Sequence, residues 1–84
     1  MEKYFDGKNW LDVKKDNNFV KYFLNGQEHR KDGPAITYFY KNGNISEEIY
    51  WYNGQEHREN GPSDIMYYEN GNICLERYYQ NDQE

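Results

Sequence analysis

The sequence predicts an all-β protein: a single-domain antiparallel β-meander built from stacked β-hairpin repeats with a period of 28 residues. Three observations lead there. Asn53-Gly54-Gln55-Glu56-His57-Arg58 is a letter-for-letter copy of Asn25-Gly26-Gln27-Glu28-His29-Arg30, one period upstream. Laying the 28 residues from Asn25 to Tyr52 on the 28 from Asn53 to Gln80 without a gap gives 15 identities, including Gly33-Pro34 on Gly61-Pro62 and Asn42-Gly43-Asn44-Ile45 on Asn70-Gly71-Asn72-Ile73. A unit this short cannot bury a core alone and must stack on its neighbours. The β-formers Tyr, Ile, Phe and Trp fall in short runs between Asn-Gly pairs, which argues strand and turn rather than helix or disorder. Finally, 36% of the 84 residues are hydrophobic while 19% are aromatic and ten are Tyr, so the apolar surface comes from rings with a polar handle and suits a thin sheet.

Residues 1–24 read as a degenerate N-terminal cap. Lys3-Tyr4-Phe5-Asp6-Gly7 echoes Lys21-Tyr22-Phe23-Leu24-Asn25-Gly26, Trp10, Leu11 and Val13 supply apolar side chains, and Lys14-Lys15-Asp16-Asn17-Asn18 is a polar turn before a strand from Phe19 to Leu24. The cap's lysines discourage edge-to-edge pairing. Repeat 1 spans 25–52. Asn25-Gly26 supplies positive φ for a tight turn, Gln27 to Pro34 is a polar connection closed by Gly33-Pro34, and Ile36 to Lys41 is a strand. Asn42-Gly43 then makes the hairpin turn, and Ile45 to Tyr52 returns. Repeat 2, residues 53–80, follows the same grammar, with strands from Ile65 to Glu69 and from Ile73 to Gln80; residues 81–84 align with the start of a third unit. The two-residue strand period places Ile36, Tyr38 and Tyr40 on one face with Asp64, Met66 and Tyr68, and Thr37 and Phe39 on the other with Ile65 and Tyr67. Neither face is cleanly apolar, so the expected packing is by aromatic ladders on a twisted meander.

The net charge of −5 gathers towards the C-terminus: residues 1–24 carry five Lys against four acids, and residues 53–84 two basic residues against seven acids. Direct binding of nucleic acid or of an anionic membrane requires a basic stripe, and both are disfavoured; a basic protein partner is compatible. A charged-then-apolar leader and a bilayer-length apolar run are both missing from the sequence, and Cys74 is the lone cysteine, which together predict a reducing, cytoplasmic setting.

The run Tyr50-Trp51-Tyr52-Asn53-Gly54-Gln55-Glu56-His57, with Gly61 and Tyr67-Tyr68-Glu69-Asn70-Gly71 and the same positions one unit earlier, resembles the MORN repeat family in a longer variant form. The resemblance covers roughly residues 19–84. Two departures, the 28-residue unit and Arg30 and Arg58 where the short motif typically has Gly after His, resemble the variant repeats of bacterial, phage and large-virus proteins, some described as antitoxin-like. It implies stacked hairpins and, for a phage or viral chain, the cytoplasm of the host cell.

Chemistry-bearing residues have structural readings that fit better. His29 and His57 would lie a whole repeat apart, too far to share one metal, and each is expected to hydrogen-bond loop backbone or pack on a Tyr. Glu28-His29-Arg30 and Glu56-His57-Arg58 lack a nucleophile that repeats with them, so no catalytic residue, metal or cofactor is assigned and the protein is read as not an enzyme. Arg30 and Arg58 are expected to tie turns to carboxylates such as Asp32, Glu28 or Glu56. Cys74 reads as a packed or idle thiol.

What the duplication did not keep is informative. Lys31 becomes Glu59, Lys41 becomes Glu69 and Ile36 becomes Asp64, while the turn letters stay. Glu56, Glu59, Asp64, Glu69 and Glu76 beside Tyr67, Tyr68, Tyr78 and Tyr79 are therefore the expected partner-binding residues. The expected function is an inhibitor, antitoxin-like or phage anti-defence, that covers a basic, nucleic-acid-binding surface of a partner protein. The alternative is a structural protein that forms homo-oligomers through an exposed C-terminal edge strand.

Overall fold

The computed structural model describes residues 2–79 and contains strands and turns, with no helix among them. The strands are β1 (Glu2–Phe5), β2 (Trp10–Lys15), β3 (Phe19–Leu24), β4 (Gln27–Glu28), β5 (Ile36–Phe39), β6 (Ile45–Ile49), β7 (Trp51–Tyr52), β8 (Gln55–Glu56), β9 (Asp64–Tyr67) and β10 (Ile73–Arg77). One antiparallel sheet runs in the order β1-β2-β3-β5-β6-β9-β10, β4 pairs with β3, and β7 and β8 form a two-stranded ribbon. Along the main sheet the strands follow one another in chain order, which is the expected meander.

Two kinds of Asn-Gly turn produce this order. Asn25 and Gly26 have φ of 51° and 81°, and Asn53 and Gly54 have 53° and 76°. Two consecutive positive values make a type I′ turn, whose twist matches that of the strands it joins, and these turns close β3 on β4 and β7 on β8. At Asn42-Gly43 only the glycine has positive φ, 90°. There Gly43 N–H donates to the Tyr40 carbonyl at 3.0 Å, Tyr40 N–H donates to the Asn44 carbonyl at 2.8 Å, and the Asn42 side-chain oxygen accepts the Asn44 N–H at 2.9 Å. The same three bonds join Tyr68, Asn70, Gly71 and Asn72. A turn of this kind adds a residue to one strand, and both hairpins carry the resulting bulge, between Tyr38 and Phe39 opposite β6 and between Ile73 and Leu75 opposite β9.

The strands are shorter than the residue pattern predicts. The strand expected over Ile45 to Tyr52 is interrupted at Tyr50, whose N–H donates to the Ser63 carbonyl at 2.7 Å and whose carbonyl accepts the His57 N–H at 2.9 Å. The next unit's connection takes both groups, so β7 leaves the sheet and pairs with β8. The cap holds three strands, β1 to β3, and Lys3–Asp12 (2.7 Å) and Lys15–Glu2 (3.1 Å) ion pairs line its edge. The expected strand end at Gln80 and the start of a third unit at 81–84 lie outside the described residues.

Register determines the faces, because directly opposed residues point to the same side. One row reads Lys14, Lys21, Ile36, Ile49, Asp64, Arg77 across β2, β3, β5, β6, β9 and β10. On the opposite face a row reads Lys15, Val20, Thr37, Glu48, Ile65, Glu76. The faces predicted for the first strands of the two units are thus observed. The apolar core is small: Leu11, Val13, Ala35, Ile36 and Ile65 are buried. The expected aromatic ladder between units is replaced by cations on rings. Among the described residues, ring pairs occur at Tyr4–Tyr22, Phe5–Trp10 and His29–Tyr52, while Arg30 lies over Tyr22 of β3 and Arg58 over Tyr50, between β6 and β7.

Candidate functional site

The connection after β4 folds onto the face that carries Tyr4, Leu11, Val13 and Tyr22. Arg30 holds it there. Its guanidinium carbon lies 4.3 Å from the centre of the Tyr22 ring and 5.2 Å from that of Tyr4, its Nε donates to an Asp32 oxygen at 3.0 Å, and its Nη1 donates to the Pro34 carbonyl at 3.4 Å. The Tyr4 hydroxyl donates to the other Asp32 oxygen. That bond, with the guanidinium, keeps the Asp32 carboxyl below its ordinary range. In the next connection Arg58 sits 4.0 Å above the Tyr50 ring and donates to the Pro62 carbonyl at 3.0 Å, but Asn60 stands where Asp32 stood. The clasp also accounts for the glycine of each Gly-Pro pair. A Cβ on Gly33 or Gly61 would lie 3.1 Å from the guanidinium carbon of its arginine, and Gly61 has a φ of 154° besides. Arg30 therefore ties its own turn to Asp32 as the sequence suggests; its seat on the rings depends on the tertiary fold.

His29 joins one unit to the next. It is buried, its Nδ1 accepts the Asn53 N–H at 3.0 Å, and its ring centre lies 4.6 Å from that of Tyr52. Accepting at Nδ1 puts the proton of the neutral ring on Nε2, and burial lowers the pKa, so the neutral form is held. Between the two connections lies a groove of about 630 Å³, lined by Arg30, Lys31, Tyr50, Tyr52, His57 and Arg58 among others. Its basic residues are offset by Asp32 and Glu59, and it holds no arrangement of nucleophile and base. Among the described residues no group of three or more His, Cys, Asp or Glu is placed to hold a metal ion.

The nine residues expected to meet a partner do not form one surface. Glu59, Tyr68, Glu69, Glu76 and Tyr78 are exposed, whereas Glu56, Tyr67 and Tyr79 are half-buried. Tyr67 is occupied internally: its hydroxyl donates to Glu48, and burial together with that carboxylate pushes its pKa up to about 12. Tyr79 N–H donates to Ser63 Oγ at 3.0 Å. Asp64 is the clear correction. It is 8% exposed, in the position that Ile36 fills one unit earlier, and its row lies on the face opposite Glu76. Its Oδ1 is buried without a hydrogen-bond partner.

Asp64 meets a residue that sequence reasoning missed. Glu47 lies on β6 opposite Met66, diagonal to Asp64 on the same face. Burial first, then a hydrogen bond and charge repulsion from Asp64, raise the Glu47 carboxyl to about 7. At neutral pH the Glu47 carboxyl is therefore only partly ionised, where an exposed glutamate would be fully so. The two residues lie on different hairpins, and only the substitution of Ile36 by Asp64 in an otherwise kept register signals the contact in the sequence.

β10 is a further uncovered feature. Every residue from Ile73 to Arg77 is exposed, including Cys74, so of the packed or idle thiol expected there the packed reading does not hold. Comparison with known proteins yields no matching family model, no matching curated protein and no matching solved structure.

Proposed function

We propose that this chain is a non-catalytic protein-binding module, a MORN-like array of 28-residue units whose C-terminal half engages a basic surface of a partner protein. The observation that carries this reading is the exposure of Glu59, Glu69 and Glu76 together with Tyr68 and Tyr78, the two rings being 55% and 56% exposed. Among the described residues Glu69 and Glu76 enter no ion pair. Charge left uncompensated beside exposed aromatic rings favours a basic partner, steering encounter through the carboxylates and burying the rings. The matching bonds at the arginine clasps and hairpin turns, 28 residues apart, support the repeat reading. A partner whose basic surface otherwise holds nucleic acid would be blocked, which is the action of an inhibitor of the antitoxin or anti-defence type, working in the cytoplasm.

Reversing the charge of Glu59, Glu69 and Glu76 to Lys leaves buried residues untouched and tests the reading directly. Capture of proteins from a lysate of the source cell should be lost by the triple variant and displaced from the native chain by heparin. Equal capture by both chains, with unchanged far-ultraviolet spectra, would overturn it.

A further inference from the structure

We propose that β10 pairs antiparallel with β10 of a second copy of this chain, so that two sheets join into one. This goes beyond the basic-partner reading and does not depend on it.

The first support is internal. By the 28-residue correspondence β6 is the counterpart of β10, and in this chain the outer edge of β6 is covered by β9 in the register Glu47–Met66, Glu48–Ile65, Ile49–Asp64. The same edge of β10 is bare among the described residues. Arg77 turns its carbonyl inward to the Ser63 N–H at 2.8 Å, so the alternation of a strand turns the N–H and C=O of Glu76 outward. Such an edge is a template for another strand. The opposite edge differs, since β1 carries the Lys3–Asp12 and Lys15–Glu2 pairs.

The second support is the composition of the bare strand. Ile73 is 52% exposed and Leu75 39%, with Tyr78 beyond them. The strand carries one Glu and one Arg, so two copies meet without a net local charge. A two-fold axis that relates paired antiparallel strands stands perpendicular to the sheet and keeps each residue on its own face, so only residues of one face can oppose each other. The bulge between Ile73 and Leu75 puts Ile73 on the face of Glu76, and Leu75 and Arg77 on the other. Centring the axis on Glu76 or on Arg77 sets like charges directly opposite, which disfavours both registers. The pairing is isologous and closes at two copies.

The mass of the 84-residue chain by light scattering across a wide concentration range should rise from one chain to two and stop. A constant single-chain mass would overturn the proposal, and so would growth past two, which marks open-ended β10-on-β1 pairing. Leu75→Lys should remain one chain in mass at every concentration while keeping a β spectrum; a two-chain mass for that variant would also overturn the proposal. The mass of the native chain decides the proposal even if Leu75→Lys unfolds.

Discussion

The hairpins β5–β6 and β9–β10 share their turn letters, their bulge and their turn bonds, yet one lies within the sheet and the other at its edge. In the inner hairpin β6 is half-buried throughout; in the outer one β10 is exposed throughout. The first strands differ in another way. Ile36 and Asp64 occupy the same position and are similarly buried, at 6% and 8% exposed, each on a strand paired on both sides. Burial in this sheet follows a residue's place between strands, so a charge written into an inner row is buried with it.

Exchanging letters between the hairpins tests this. Ile36→Asp should be the most harmful change, because it buries a carboxylate against Ile49, and Lys21 opposite it is already seated on the Phe19 and Tyr38 rings. A loss of about 3–5 kcal/mol is expected in urea unfolding. A loss below ~1 kcal/mol would show that the inner row is as tolerant as the outer. The reverse change, Asp64→Ile, removes the unpartnered Oδ1 and the repulsion on Glu47, and should stabilise the chain by about 1–3 kcal/mol. Destabilisation would mean that the hydrogen bond between Asp64 and Glu47 outweighs the cost of the buried Oδ1.

Titration sharpens the same comparison. The Glu47 carboxyl is raised to about 7 against an ordinary 4.5, so between those values the folded chain holds a proton that the unfolded chain has lost. Its contribution is fully present below about pH 4.5, falls as pH rises, and is gone above about pH 7. Allowing for its partial exposure, the span is about 1–2 kcal/mol. Glu47→Gln should flatten the pH profile of stability over that window, and an unchanged slope would assign it to other groups. His29 acts in the opposite sense, since burial lowers its pKa: its contribution is present above about 6.5 and is lost as pH falls below that.

The smallest expected effect concerns the clasps. Asn60→Asp gives Arg58 the carboxylate that Asp32 gives Arg30, and should add about 0.2–1 kcal/mol that salt removes. A gain that persists in high salt would point to loop entropy rather than an ion pair.

Much of the turn chemistry was legible, because it is local. Asn25-Gly26 and Asn53-Gly54 need two residues that tolerate positive φ, and the next letters cannot change that requirement. The pair of Arg30 with Asp32 was legible for the same reason, two residues being within reach of one side chain. Strand ends were not, because Tyr50 leaves the β6 ladder to bond Ser63 and His57 in the next connection. Nor was the split of the expected partner residues between faces: Glu76 follows from the register of β10 on β9, and the bulge at Ile73/Leu75 alters that register. Glu47 carried no local mark, since its partner lies on another hairpin.

By itself the sequence determined an all-β chain of hairpins, the places where it turns and the order in which its strands meet, because φ preference and short connections act over a few residues. Tertiary structure alone decided which carboxylates are buried, which tyrosines are occupied by arginine and which strand is left bare, because each depends on the neighbour that lies across a strand rather than along it. The copied Glu-His-Arg letters show the division: their turn is written locally, while the roles of His29 at Asn53 and Arg30 over Tyr22 exist only once the units are stacked.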